Sequence, residues 1–183
     1  MTTAHAELAR SRSDFLELPR ELRLDSPNVG DGASLWRIAR DSKVLDLNSS
    51  YSYLLWCRDF AGTSVVARDM SGQAVGFVTG YLRPGAPDTL LIWQVAVDES
   101  LRGQGVAGAL LDGLSARVAE RFGLASLETT ITPGNEASER LFHSYADRHG
   151  ASVTREVLFK PGHFPEGGEH SPEVLHRIAP LAF

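Results

Sequence analysis

Cysteine is nearly absent: Cys57 is the only one in 183 residues. A disulfide within the chain is therefore impossible, a cysteine-based zinc site is implausible, and no metal is expected. Long hydrophobic runs are missing too. No stretch reaches the roughly eighteen apolar residues that span a bilayer, and the N-terminus lacks an apolar signal core. The chain reads as cytoplasmic, with no membrane partner. Positive charge is also in deficit: 18 Lys and Arg stand against 23 Asp and Glu, a net charge of −5. That argues against nucleic acid as a partner. Internal repeats, low-complexity tracts and linkers are absent as well. What is present is ordinary for a globular chain, with 43% hydrophobic and 22% charged residues, which is enough to bury a sizeable core.

Residues 1–18 are polar and unpatterned and read as a flexible tail, leaving 19–183 as one domain. The alternation Glu21-Leu22-Arg23-Leu24 predicts a first strand. Asp31 is placed to cap a helix from Gly32 to Ser42, and Asn48 or Ser49 to cap a second one carrying Tyr53, Trp56 and Cys57. Cys57, among apolar neighbours, reads as a buried structural thiol. Ser64–Arg68 and Ala74–Leu82 form a hairpin pattern, and Arg83–Asp88 a loop. Thr89–Val97 is apolar enough for a central strand covered on both faces. Val106, Leu110, Leu114, Val118 and Phe122 then recur at helical steps. A strand at Ser126–Ile131, a helix at Glu136–His149 and strands at Val153–Phe159 and Val174–Ile178 complete an α+β order with a mixed sheet.

Between the central strand and the apolar helix lies Leu101-Arg102-Gly103-Gln104-Gly105-Val106-Ala107-Gly108. A glycine-rich turn opening a helix is an anion site, because the first helical N–H groups lack partners and the macrodipole adds positive potential there. Two phosphate ligands compete for it. Gly103, Gly105 and Gly108 match G-x-G-x-x-G, with Glu128 downstream. However, Asp98–Arg102 intervenes between strand and glycine, about a hundred residues precede the turn, and Glu128 lies inside its strand rather than at its end. A dinucleotide fold is disfavoured. A P-loop is excluded, since no G-K-[ST] follows.

The other frame is Arg102-x-x-Gly105-x-Ala107 after Gln94-Val95-Ala96-Val97, with Asn135-Glu136-Ala137-Ser138 opening the later helix. This combination resembles the GNAT superfamily of N-acetyltransferases. The resemblance implies a GNAT fold, a mostly antiparallel sheet of roughly six to seven strands flanked by about four helices. It implies acetyl-CoA as co-substrate, its pyrophosphate on amides of Arg102, Gly103, Gln104, Gly105, Val106, Ala107 and Gly108. Val95, Ala96 and Val97 would offer backbone groups to the pantetheine arm, with Asn135 and Ser138 alongside. Asn135 and Ser138 also fit plain helix capping.

Three further segments narrow the resemblance: Leu45-Asp46-x-Asn48-Ser49-x-Tyr51-x-Tyr53-Leu54-Leu55, then Pro87-Asp88-Thr89 with Ile92-Trp93-Gln94, then Glu128-Thr129-Thr130-Ile131-Thr132-Pro133. They are similar to the L-2,4-diaminobutyrate acetyltransferases of ectoine synthesis, which implies acetylation of the γ-amino group of that diamine and a homodimer. Acetylation of another small amine, of a polyamine or of a protein N-terminus is the alternative within the fold. A non-catalytic CoA-binding module is the alternative outside catalysis.

The diamine carries two ammonium groups and one carboxylate. Asp46, Glu128 and Glu156 can supply negative charge, and Asn48, Tyr51, Thr89 and His170 can supply donors. Trp93 can wall the site or face an ammonium. Each has a plainer reading, Asp46 as a helix cap and Trp93 as core among them. An alkyl ammonium titrates near 10.4, so only roughly one molecule in a thousand is free amine near neutrality. A base is needed, and Glu128, inside an apolar strand, is the first candidate, directly or through water. Val95 N–H can polarise the thioester carbonyl. Phe142 stands where the superfamily usually carries the Tyr that protonates the thiolate, which leaves Tyr145 or water for that role, or no acid at all, since a CoA thiolate is already a tolerable leaving group.

Overall fold

The computed structural model describes residue 16, residues 18–165 and residues 170–183. Most of the expected N-terminal tail, and residues 166–169 of the expected C-terminal loop, lie outside the described residues. In chain order the elements are β1 (Arg23–Asp25), α1 (Gly32–Ser42), α2 (Ser50–Asp59), β2 (Val65–Arg68), β3 (Ala74–Arg83), β4 (Ala86–Val97), α3 (Val106–Phe122), β5 (Ser126–Ile131), α4 (Glu136–His149), β6 (Ser152–Phe159) and β7 (Glu173–Ala179). The seven strands form one sheet in the order β1-β2-β3-β4-β5-β7-β6. Every pairing is antiparallel except β4 with β5, which α3 connects as a crossover. Among the described residues no helix is long and apolar enough to cross a membrane.

Two apolar layers hold the sheet. The helical stripe of Val106, Leu110, Leu114 and Val118 packs with Val78, Leu90, Leu127 and Ile178 on one face. On the other, Leu35 and Ile38 of α1 and Tyr53 and Cys57 of α2 cover Val66, Phe77 and Ala96. Each fully buried leucine or isoleucine contributes about 1.5–3 kcal/mol. Cys57 is buried as expected, and burial pushes its thiol up to about 11, which keeps it protonated and inert near neutrality.

The local signals act with small corrections. Asp31 precedes α1, but its side chain makes no cap bond to that helix. It accepts instead from the Asn28 N–H at 2.7 Å, closing a capping box on the short turn Val29–Asp31, and it binds Arg68 of β2. Ser49, not Asn48, caps α2. The expected loop Arg83–Asp88 is a tight hairpin, since Arg83 already pairs with Ala86. Pro87 is tolerated in β4 because pairing with β5 begins only at Thr89, so no partner there needs its N–H.

The feature that makes a site is an irregularity in β4. Thr79 pairs with Gln94 but Gly80 with Ile92, so Trp93 is a bulge. The extra residue reverses the alternation. Leu90 and Ile92 face α3, and so do Val95 and Val97. Beyond Ile92, β4 also leaves β5: their register ends at Ile92 with Thr129, although β4 runs to Val97 and β5 to Ile131.

Candidate active site

The gap between β4 and β5 exposes backbone. Asp98 N–H donates to Val75 O at 2.8 Å, so by alternation Ala96 bonds towards β3 while Val95 and Val97 turn their N–H and C=O groups to the gap. Val97 O accepts Arg102 Nε at 3.4 Å, as that orientation requires. Ala96 is therefore part of the strand but not of its open edge.

Above the gap sits the N-terminus of α3. Its N-cap is Gly105, left-handed at φ 78°, with no side-chain cap bond, and Gly103 has φ 76°. A Cβ added to either glycine would meet nothing within 4 Å, so the space over the helix end is open. Uncapped donors, a helix dipole and open approach are what a phosphate requires. The turn below is stiff. Leu101 N–H bonds Asp98 O, Gln104 Nε2 bonds Ser100 O at 2.9 Å, and Arg37 of α1 clamps the Asp98 carboxylate at 2.7 and 3.1 Å. Gly108 differs from the other two glycines. A Cβ there would strike Leu16 at 2.3 Å, so its α-carbon serves packing rather than ligand approach.

A cavity of about 490 Å³ opens where the strands part. Asp46, Asn48, Trp93, Gln94 and Val95 line one side, and Thr130, Asn135, Ser138 and Phe142 another. Phe164, His170 and Glu173 close it from the C-terminal segment. Asn135 Oδ1 accepts Ser138 N–H at 3.1 Å, so these two residues both cap α4 and face the cavity.

Gln94 was not singled out as a site residue from the sequence. Its buried side chain accepts from Tyr53 Oη at 3.1 Å and donates to Asp46 O at 2.9 Å. It thereby fixes the backbone of Asp46 at the cavity rim, while the Asp46 side chain stays exposed. A polar amide in an apolar strand was the available signal. Trp93, pushed out by the bulge, is 51% exposed and stacks on Trp56 at 6.2 Å. It is a wall, shared with a neighbouring recess lined by Trp56 and Tyr81, rather than core. His170 lies flat on Phe164, with centroids 3.7 Å apart, and its Nδ1 is 2.6 Å from Ser171 O. A carbonyl only accepts, so Nδ1 carries the proton and Nε2 keeps a lone pair.

Other expected residues are not brought to this cavity. Tyr51 is 65% exposed on the first turn of α2. Thr89 is buried and shares a hydrogen bond with Ser126 Oγ at 2.8 Å. Glu156 is exposed on β6 opposite Leu175. Glu128 is only 2% exposed, accepts from Arg83 at 2.9 Å with Arg177 at 3.7 Å, and does not line the cavity. Tyr145 is wholly buried one helical turn beyond Phe142, and donates to Ser115 Oγ of α3 at 2.8 Å. Burial holds its phenol protonated, well above the usual tyrosine range, and away from the cavity. Tyr145 is thus a structural link between α3 and α4. Among the described residues no group of His, Cys, Asp and Glu is disposed to hold a metal ion.

An uncapped helix end over a splayed parallel strand pair defines an acyl-CoA transferase architecture, and the family comparison agrees. The acetyltransferase (GNAT) family model matches residues 33–146, and the chain belongs to that family. Within it, the chain is 63% identical over 182 residues to the L-2,4-diaminobutyric acid acetyltransferase of Streptomyces avermitilis, covering 100% of this chain and 99% of that one. It is 45% identical over 158 residues to the enzyme of that name from Marinococcus halophilus, covering 86% and 89%. Among solved structures, the diaminobutyrate acetyltransferase of Paenibacillus lautus, in complex with L-2,4-diaminobutyric acid and coenzyme A, matches with a TM-score of 0.82 and 39% identity. That match covers 89% of this chain and 97% of the other. The resemblance read from the Asp46, Trp93 and Glu128 segments is borne out at the level of the family.

Proposed function

We infer that the chain transfers the acetyl group of acetyl-CoA to the γ-amino group of L-2,4-diaminobutyrate, giving N4-acetyl-L-2,4-diaminobutyrate. One observation carries the chemistry: Val95, whose backbone turns to the gap, lines the same cavity as Asp46, Trp93 and His170, and β4 runs on from it to the turn that opens α3. The full-length 63% identity selects the diamine.

The residues present fit acetyl-CoA. Amides of Gly103, Gln104, Gly105, Val106 and Ala107 hold its phosphates, with Arg102 beside them. Val95 and Val97 present the backbone groups that pair with its pantetheine amides, and Asn135 and Ser138 flank that arm. Acetyl-CoA supplies an activated thioester. Val95 N–H donates to the carbonyl oxygen as negative charge develops there. Asp46 draws an ammonium group into the cavity, Asn48 adds a polar contact, and Trp93 shields the reacting end from water. His170 Nε2 takes the proton that the γ-ammonium must lose. Phe142 offers no proton and Tyr145 is committed to Ser115, so the thiolate departs without a tyrosine acid. Thiols titrate near 8.5, which makes that departure tolerable.

We further propose that residues 19–183 act as one catalytic unit in a cytoplasmic homodimer serving osmotic-stress metabolism. The family resemblance supports this, and β7 is where the contact is sought.

A thiol-release assay with acetyl-CoA against diaminobutyrate, ornithine, lysine and spermidine tests the activity. Diaminobutyrate should be the preferred acceptor, and turnover of another amine without it would reject the reading. Binding of CoA without any turnover would favour an idle binding module.

In the same assay Gly105→Val should raise the Michaelis constant for acetyl-CoA about tenfold or more. A side chain at φ 78° costs about 1–2 kcal/mol and projects into the phosphate approach. A selective effect on the amine instead would place the two substrates the wrong way round.

A further inference from the structure

The described residues lining the cavity include Asp46, Glu173 and His170 but no Arg or Lys. They suit the two ammonium groups of a diamine and leave its carboxylate without a cationic partner. Two cations with no role so far, Arg83 and Arg177, stand on the same sheet. Glu128 and Thr130 point to one face of β5, because alternate residues share a face. Thr130 lines the cavity. Glu128, about 6.7 Å further along the strand, does not, and it is where the two guanidiniums converge, at 2.9 and 3.7 Å. Arg83 comes from the end of β3 and is 43% exposed; Arg177 comes from β7, opposite Glu128 in register, and is 52% exposed. The single buried carboxylate between them fixes both and neutralises one, so the cluster keeps one positive charge turned to solvent beside the cavity.

We propose that Arg83 and Arg177, held by Glu128, receive the α-carboxylate of the amino-acid substrate and so select diaminobutyrate over amines that lack one. This rests on the diaminobutyrate reading above and assigns Glu128 a positioning role rather than that of base. The spacing suits the ligand. The substrate's carboxyl carbon and γ-nitrogen are four bonds apart, about 5 Å when extended. A carboxylate at the cluster therefore sets the γ-amine near Thr130 and the gap, and a longer diamino acid would overshoot it. A guanidinium is suited to this because its donor fork matches a carboxylate.

The test uses 1,3-diaminopropane, which is diaminobutyrate with its carboxylate replaced by hydrogen. Steady-state kcat/KM for both amines at saturating acetyl-CoA gives a selectivity ratio that cancels general damage to the enzyme. Arg83→Gln should lower the ratio about 10- to 100-fold, mainly through the KM for diaminobutyrate, in line with loss of a charge-assisted hydrogen bond. Arg83→Lys should restore part of it. Arg177→Gln should act in the same direction. Each single variant leaves Glu128 one guanidinium nearby, and circular dichroism with a thermal melt checks that each variant is folded. An unchanged ratio, or a parallel fall for both amines, would overturn the proposal. Failure of the unmodified enzyme to accept diaminobutyrate would instead reject the functional reading on which it rests.

Discussion

His170→Gln lowers kcat for diaminobutyrate about 10²- to 10³-fold and leaves the KM for acetyl-CoA unchanged. The direction follows from the hydrogen bond that His170 makes. Its Nδ1 donates to Ser171 O at 2.6 Å, and its ring is held flat on Phe164 at 3.7 Å. Orientation and tautomer are both set, so the Nε2 lone pair is the basic atom available at the cavity. A glutamine in its place keeps a polar contact but has no nitrogen that can take the proton of the γ-ammonium. General-base assistance contributes about 10²- to 10⁴-fold, so the lower half of that range is expected where water replaces the lost base. Thiol release at saturating acetyl-CoA and diaminobutyrate measures this. A loss under threefold would remove His170 and send the proton straight to solvent.

Glu128 shows what a sequence can and cannot say about such a site. Its burial in an apolar strand was legible, and so was the need for a partner, because an unpaired buried carboxylate is costly. The partner's identity was not. Arg83 and Arg177 lie 45 and 49 positions away and are aligned with it only through sheet register and a hairpin end. Tyr145 failed for a similar reason. It stands three residues after Phe142 in a helix, and that one turn carries its hydroxyl from the cavity into the α3 contact with Ser115. The strand and helix order, by contrast, was legible almost throughout, because apolar period and capping residues are local. Where it slipped, at Arg83–Asp88, a two-residue turn kept both strands paired further than their composition implied. The bulge at Trp93 left no local mark either. It is visible only as a register shift against β3, yet it turns the indole out of the core and helps open the gap in which the chemistry takes place.

Asp31→Ala destabilises the fold by about 3–5 kcal/mol at pH 7. The Asp31 carboxylate is buried and accepts from Arg68 Nη1 at 2.6 Å, from Arg68 Nη2 at 2.8 Å and from Asn28 N–H at 2.7 Å. Removing it leaves the buried Arg68 with the more exposed Asp25 as its remaining carboxylate and strips the capping box from the turn before α1. Its titration has a definite sign. Burial alone would raise the carboxyl, but the Arg68 and Asn28 hydrogen bonds and the Arg68 charge outweigh it and hold the group below the ordinary aspartate value. A lowered native pKa means that the unfolded chain binds the proton first. The stabilisation is complete above the unfolded value near 4 and is lost as pH falls through the lower native one. Urea midpoints measured from pH 7 down to pH 3 should therefore fall more steeply for the unmodified chain than for Asp31→Ala, whose deficit narrows in acid. Parallel curves would show that the pair does not govern acid stability. The consequence reaches the active site, because α1 carries Arg37, whose clamp on Asp98 steadies the turn that presents Gly103 and Gly105. Loosening the start of α1 should accordingly weaken acetyl-CoA binding before the sheet melts, and a rise in that KM at pH 7 in folded Asp31→Ala would register it.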